Sequence, residues 1–191
     1  MKFSPVILLG ATVVLGAPAS LLSERQTRAC FIVGSEVLPA EVANIVTDLQ
    51  PRITCDPTQR TLSGVPDVSS GDVSFSSINF ATSGQSALEF ALDRFATRTP
   101  LASNDLATFQ SQLDVYLATE AGIRSAGGNL AIKVPKFFLE FQISRIQTAQ
   151  GNPPTAPGLQ VDHKMGKVLK NAGSESQALL DQVAALGKVL S

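Results

Sequence analysis

Beyond Gln85 the apolar positions fall three and four residues apart, the period of helices that bury one face. Leu88, Leu92 and Phe95 make the first such face. It opens on Ser86 and Glu89 at capping-box spacing, where the serine oxygen accepts an orphan N–H and the glutamate reaches back. Pro100 ends that element. Ser103 is the expected cap of the next helix, with Asp105 in its first turn. Its stripe is Leu106, Phe109, Leu113, Tyr116 and Leu117, and Gly127-Gly128 stops it. From Leu130 to Gln150 the chain is apolar on nearly every side, so this helix is predicted to be the central one, buried by its neighbours. Pro135 suits a helix start and forbids a clean interior, which places the start at Val134–Pro135. Val161, Met165, Val168, Ala172, Ser176, Leu179, Val183, Leu186 and Leu190 then recur with a mean step of about 3.6 residues, that of a straight helix. Ser174 and Gln177 again have capping-box spacing, but the phase survives Gly173. Residues 159–190 are therefore predicted as one long helix with a weak middle rather than as two helices nearly in line.

The first part of the chain reads differently. Cys30-Phe31-Ile32-Val33 is short, apolar and rich in β-branched residues, which suits a strand or a buried extended arm. Pro39 opens a short helix with Glu41 at its positive end, and Val42, Ile45, Val46 and Leu49 line one face until Pro51 stops it. Residues 56–84 are dominated by Gly, Pro, Ser, Thr and Asp. They are predicted to form a long surface loop with one or two short strands, fastened by Phe75 and Phe80. The expected fold is mainly α: an antiparallel helical bundle of four to five helices over 85–191. An extended, disulfide-clipped N-terminal segment over 20–84 lies against it, and the two form one domain.

Residues 1–19 carry the pattern of an export signal. Lys2 precedes an apolar core, Val6 to Leu15, and Ala17-Pro18-Ala19 supplies small residues for cleavage, expected between 16 and 19. The core is too short for a membrane anchor, which needs about 20 apolar residues. Export decides the reading of Cys30 and Cys55, the two cysteines of the chain: an oxidising compartment favours a bridge between them, worth about 3 kcal/mol in the chain-entropy model. No Asn-X-Ser/Thr sequon and no second apolar run of membrane-spanning length occurs, so a free extracellular protein is expected.

Composition narrows the chemistry. The 191 residues are 44% hydrophobic and carry a formal net charge of −1, which argues against a nucleic-acid binder working by phosphate neutralisation. One histidine and two cysteines leave little for metal or thiol chemistry, and no cofactor is expected. Nucleophile-elbow, Walker and dinucleotide-binding patterns are absent. A serine or cysteine triad would have to use His163, which sits between Asp162 and Lys164, and adjacent residues on a helix do not face one another. With no Trp and one Tyr, the chain has few flat faces for sugar stacking. The expectation is a protein that is not an enzyme.

Two features remain as candidates for binding. Lys164, Lys167 and Lys170 form a basic edge with Lys188 further on; it reads as a solvated face, the alternative being contact with an acidic partner or lipid headgroups. Phe137, Phe138 and Phe141 read as packed core, the alternative being the lining of a pocket for an apolar ligand between helices.

Several stretches carry a resemblance: Ala29-Cys30-Phe31 with Cys55, Gly64-Val65-Pro66-Asp67-Val68, the run from Tyr116 to Arg124, and the run from Leu130 to Phe138. On these the chain resembles a group of ascomycete small secreted proteins, commonly treated as candidate effectors released at a fungus–host interface. The resemblance implies no catalytic residues. Together these readings predict a secreted, non-enzymatic interaction protein with an unidentified protein partner, a host protein being the class the resemblance suggests. The alternative is an extracellular carrier of a lipid or other apolar small molecule.

Overall fold

The computed structural model describes residues 29–191. The expected export signal, 1–19, and the polar stretch to 28 lie outside the described residues. The elements run α1 (Ala40–Leu49), β1 (Thr54–Arg60), β2 (Pro66–Ser70), β3 (Val73–Ser74), α2 (Ala87–Arg94), α3 (Leu106–Ser125), α4 (Lys133–Ala149), α5 (Val161–Asn171) and α6 (Gln177–Leu186), with short 3₁₀ turns between them. The fold is mainly helical, and Cys30 and Cys55 are bridged with Cα atoms 6.1 Å apart. The bridge clips the segment before α1 to β1 behind it. Among the described residues no helix is long and apolar enough to cross a membrane.

The segment expected as a long loop with one or two short strands holds a three-stranded antiparallel sheet in the order β1-β2-β3. Its composition hid it for two reasons. β1 is almost wholly exposed and carries Pro57, which has no N–H for the ladder. The β1–β2 register slips between Asp56 and Arg60, around that proline. β2 is the reverse: Pro66, Asp67, Val68 and Ser70 are buried, and Asp67 is satisfied by the Ser76 N–H (2.9 Å) and hydroxyl (2.5 Å). The expected anchors Phe75 and Phe80 are buried, as is Val65, which the pattern did not single out. Cys30 to Val33 is not a strand but a turn and an arm, with Phe31 fully enclosed and Cys30 and Val33 exposed.

The centre of the core is shared. The predicted stripe on α3 covers its first half; from Val115 to Ile123 the helix is buried on nearly all sides, except for Leu117. Tyr116 stands between Phe75 (5.2 Å between centroids) and Phe95 (5.7 Å), both edge-on, and Phe95 meets Phe90 in turn. The Tyr116 hydroxyl donates to the Ile78 carbonyl at 2.7 Å. This cluster ties the sheet, α2 and α3 together. α4 starts at Lys133 with Pro135 in its first turn, where a missing N–H costs nothing. It packs Phe138 against Phe141, so it is one of two central helices rather than the sole one.

One cap reading holds, and one cap and one boundary reading change. The Ser86 hydroxyl does accept from the Glu89 N–H, at 3.2 Å. The cap of α3, however, is Asp105, whose carboxylate accepts from the Ala107 N–H (3.1 Å) and the Thr108 hydroxyl (2.6 Å). Ser103 lies in the preceding 3₁₀ turn and donates to the Pro100 carbonyl. Residues 159–190 form two helices, not one; the described residues hold six helices, five of them after residue 85, and a three-stranded sheet that the expected bundle did not include. Glu175 is turned out of the helical path and accepts from the Leu88 N–H at the start of α2 (3.3 Å), while its own N–H returns to the Ala172 carbonyl. α6 then folds back on α5: a Cβ on Gly187 would lie 2.5 Å from the Met165 sulfur. The phase survived because both arms of this hairpin turn Val168, Ala172 and Val183 to the same core.

Tyr116→Phe should destabilise by about 1–3 kcal/mol, because the buried Ile78 carbonyl loses its donor while the ring contacts remain. Urea denaturation measures this; a variant as stable as the parent would mean the carbonyl finds another partner.

Candidate functional site

The C-terminal half of α3 carries Glu120 and Arg124 one turn apart, and α4 carries Lys133 and Lys136 one turn apart. Where the helices meet, Glu120 becomes the hub of a buried ion cluster. Its carboxylate accepts from Arg124 through Nε (2.9 Å) and Nη2 (2.7 Å) and faces Lys136 Nζ at 2.8 Å. Glu120 is 4% exposed and Lys136 8%. Burial pushes the Glu120 carboxyl up, but the two cations outweigh it and hold the group below the ordinary glutamate range. Lys136 also lies over the Phe137 ring, 4.0 Å from its centroid.

This cluster floors a groove of about 330 Å³ between α1, α3, α4 and α5. Glu41 and Ile45 of α1 form one wall, and Lys164 and Lys167 of α5 the other. Lys164 is paired with Glu140 at 2.5 Å. Lys133 and Lys167 have no ion-pair partner among the described residues. The groove thus holds five cationic side chains against three carboxylates, although the whole chain is net negative by one. Ile45, Leu117 and Phe137 give it an apolar strip beside the charges. The arrangement suits a ligand with carboxylates and apolar side chains in alternation.

The three candidate phenylalanines separate. Phe138 and Phe141 are completely buried and meet edge-on at 6.0 Å. Phe137 alone reaches the groove. The predicted basic edge splits as well: Lys164 and Lys167 turn into the groove, while Lys170 and Lys188 stay exposed. His163 is exposed in the first turn of α5, and no hydrogen bond joins it to Asp162 among the described residues. Among those residues no group of three or more His, Cys, Asp or Glu is placed to hold a metal ion.

Glu120, Arg124, Lys133 and Lys136 were not singled out from the sequence. Their signal lay in spacing, four residues within one helix and three within the next, but nothing local shows that the two helices bring these faces together. All four fall within the two long stretches that carry the resemblance, so those stretches converge on one groove.

A family model described as a domain of unknown function (DUF7143) matches residues 32–191, most of the chain. The chain belongs to this family. The matched span takes in the sheet, the six helices of the described residues and every residue of the groove. No curated protein and no solved structure matches the chain.

Glu120→Gln should destabilise by about 3–5 kcal/mol, because it leaves the buried Lys136 ammonium without its counter-charge. The sign in pH follows from the lowered carboxyl. Its contribution is complete above the unfolded glutamate value of about 4.3 and is lost as pH falls through the lower folded value. Thermal melts across the acid range should show that loss in the parent and not in the variant.

Proposed function

We propose that this is a secreted, non-enzymatic interaction protein that docks an acidic segment of a partner protein in the groove between α1, α3, α4 and α5. The observation that carries the reading is the local excess of cations. Arg124 and Lys136 are spent on Glu120, and Lys164 on Glu140, while Lys133 and Lys167 are left to meet charge from outside. An exposed cation beside an apolar strip recognises a carboxylate flanked by apolar side chains, and complementarity of this kind sets specificity and on-rate. The Cys30–Cys55 bridge supports an oxidising compartment. A host protein as partner, and a role as a fungal effector, rest on the resemblance alone. The carrier reading built on Phe137, Phe138 and Phe141 has less behind it, because two of the three rings are packed against each other in the core.

The test is a titration with a synthetic peptide of alternating glutamate and leucine, beside its lysine–leucine counterpart. The acidic peptide should bind, should weaken with added salt, and should lose about tenfold or more in affinity to the double variant Lys133→Glu, Lys167→Glu. Equal binding of the basic peptide, or full affinity in the double variant, would overturn the reading.

A further inference from the structure

A second groove lies on the other side of α4, and one buried cation stands behind it. Arg145 is 2% exposed, and no carboxylate lies within ion-pair distance of it among the described residues. Its Nη1 donates to the Gln142 side-chain oxygen and to the Thr97 hydroxyl (3.4 Å); its Nη2 donates to the Val189 carbonyl (2.9 Å); its Nε has no partner. The guanidinium also lies 5.6 Å from the centroid of the Phe141 ring. Thr97, Gln142 and Val189 all line the groove, about 390 Å³, whose remaining wall is mostly apolar: Leu92, Ala185 and Leu186.

The buried edge of the guanidinium that carries the unpartnered Nε is the one that binds carboxylates, and the Val189 carbonyl stands between it and the groove. Nε and Nη2 together form the fork that takes both oxygens of a carboxylate. The same molecule uses that edge twice: Arg52 grips Asp114 with Nε (2.7 Å) and Nη2 (3.0 Å), and Arg124 uses the same two atoms on Glu120. In Arg145 the Nε is empty and Nη2 holds only a backbone carbonyl. That carbonyl belongs to Val189, beyond the end of α6, in a stretch whose side chain is 53% exposed. A buried cation without its anion is costly, and burial already pushes Arg145 down from the ordinary arginine range.

We infer that the groove between α2, α4 and α6 binds a single-chain amphipathic carboxylate, its head displacing the Val189 carbonyl to form a two-pronged pair with Nε and Nη2 of Arg145 and its chain lying along Leu92, Ala185 and Leu186. The volume lies within the range of about 300–1,000 Å³ usual for small-molecule sites. The site is separate from the cationic groove, so the two readings stand or fall independently.

The experiment titrates the full protein with dodecanoate and, separately, with dodecanol, by calorimetry. Dodecanoate should bind about tenfold or more tightly than the alcohol, the ratio expected for hydrogen bonds to a charged group. Arg145→Met should remove that preference. Should Arg145→Met fail to fold, Ala185→Trp tests the site from its exposed wall and should abolish binding of both probes with the helical content unchanged. Absence of dodecanoate binding, equal affinity for the alcohol, or full binding by Ala185→Trp would each overturn the assignment.

Discussion

Gly122 is the position on which the rest of the packing depends. A Cβ there would stand 2.4 Å from the Phe31 carbonyl oxygen and under 3.0 Å from both methyls of Val65. Only a residue without a side chain lets the disulfide-clipped arm and the loop before β2 reach the α3 backbone together. One turn later Ser125 completes the junction. Its hydroxyl accepts from the Val33 and Gly34 N–H groups and donates to the Gly122 carbonyl, while its own carbonyl accepts from the Glu36 N–H. The arm has no ladder of its own, so α3 satisfies its backbone donors.

The same turn of helix sets up the cationic groove. Glu120 precedes the contact by two residues and Arg124 follows it by two, so the close approach of the arm fixes the rotation of α3 about its axis. That rotation decides which face of α3 meets Lys136 of α4. The charge pattern follows. Carboxylates take up Arg52, Arg124, Lys136 and Lys164, and of the cations without an ion pair among the described residues three lie at the two grooves, while Arg60, Arg94, Arg98, Lys170 and Lys188 are exposed elsewhere. Two of the three are lysines at the surface beside an apolar strip. The third is an arginine behind an apolar wall. Their settings differ, which is why the ligands proposed for them differ: a carboxylate-bearing chain segment for the first and a small amphipathic acid for the second.

Much of the helical part was legible because burial on one face leaves a period in the sequence. Val42, Val46 and Leu49, then Leu88 and Phe95, then Phe109 and Tyr116, are all buried where that period placed them. The sheet was legible only as one or two short strands, because β1 turns almost no apolar residue inward and β2 buries an aspartate satisfied by Ser76. The break in the last helix left a local signal at Gly173 and Ser174, which the preserved phase outweighed; the contact that goes with it, Glu175 reaching Leu88, joins residues far apart in the chain. The grooves share that limit. A spacing of three or four residues puts two charges on one face, but only tertiary packing pairs Glu120 with Lys136 or leaves Arg145 without an anion.

The account makes the crossing at Gly122 a contact the fold cannot relax, and one comparison tests it directly. Gly166 lies in α5 with nothing within 4 Å of a would-be Cβ, whereas Gly122 lies in α3 against the arm and Val65. Alanine is the better helix former at both sites, by about 0.8–1.0 kcal/mol. Thermal denaturation of the two variants separates propensity from packing. Gly166→Ala should melt at or above the parent, and Gly122→Ala below it, by the equivalent of about 1–3 kcal/mol of overpacking. A Gly122→Ala protein that melts as high as Gly166→Ala would contradict the account, because the arm would then not need the bare backbone of α3.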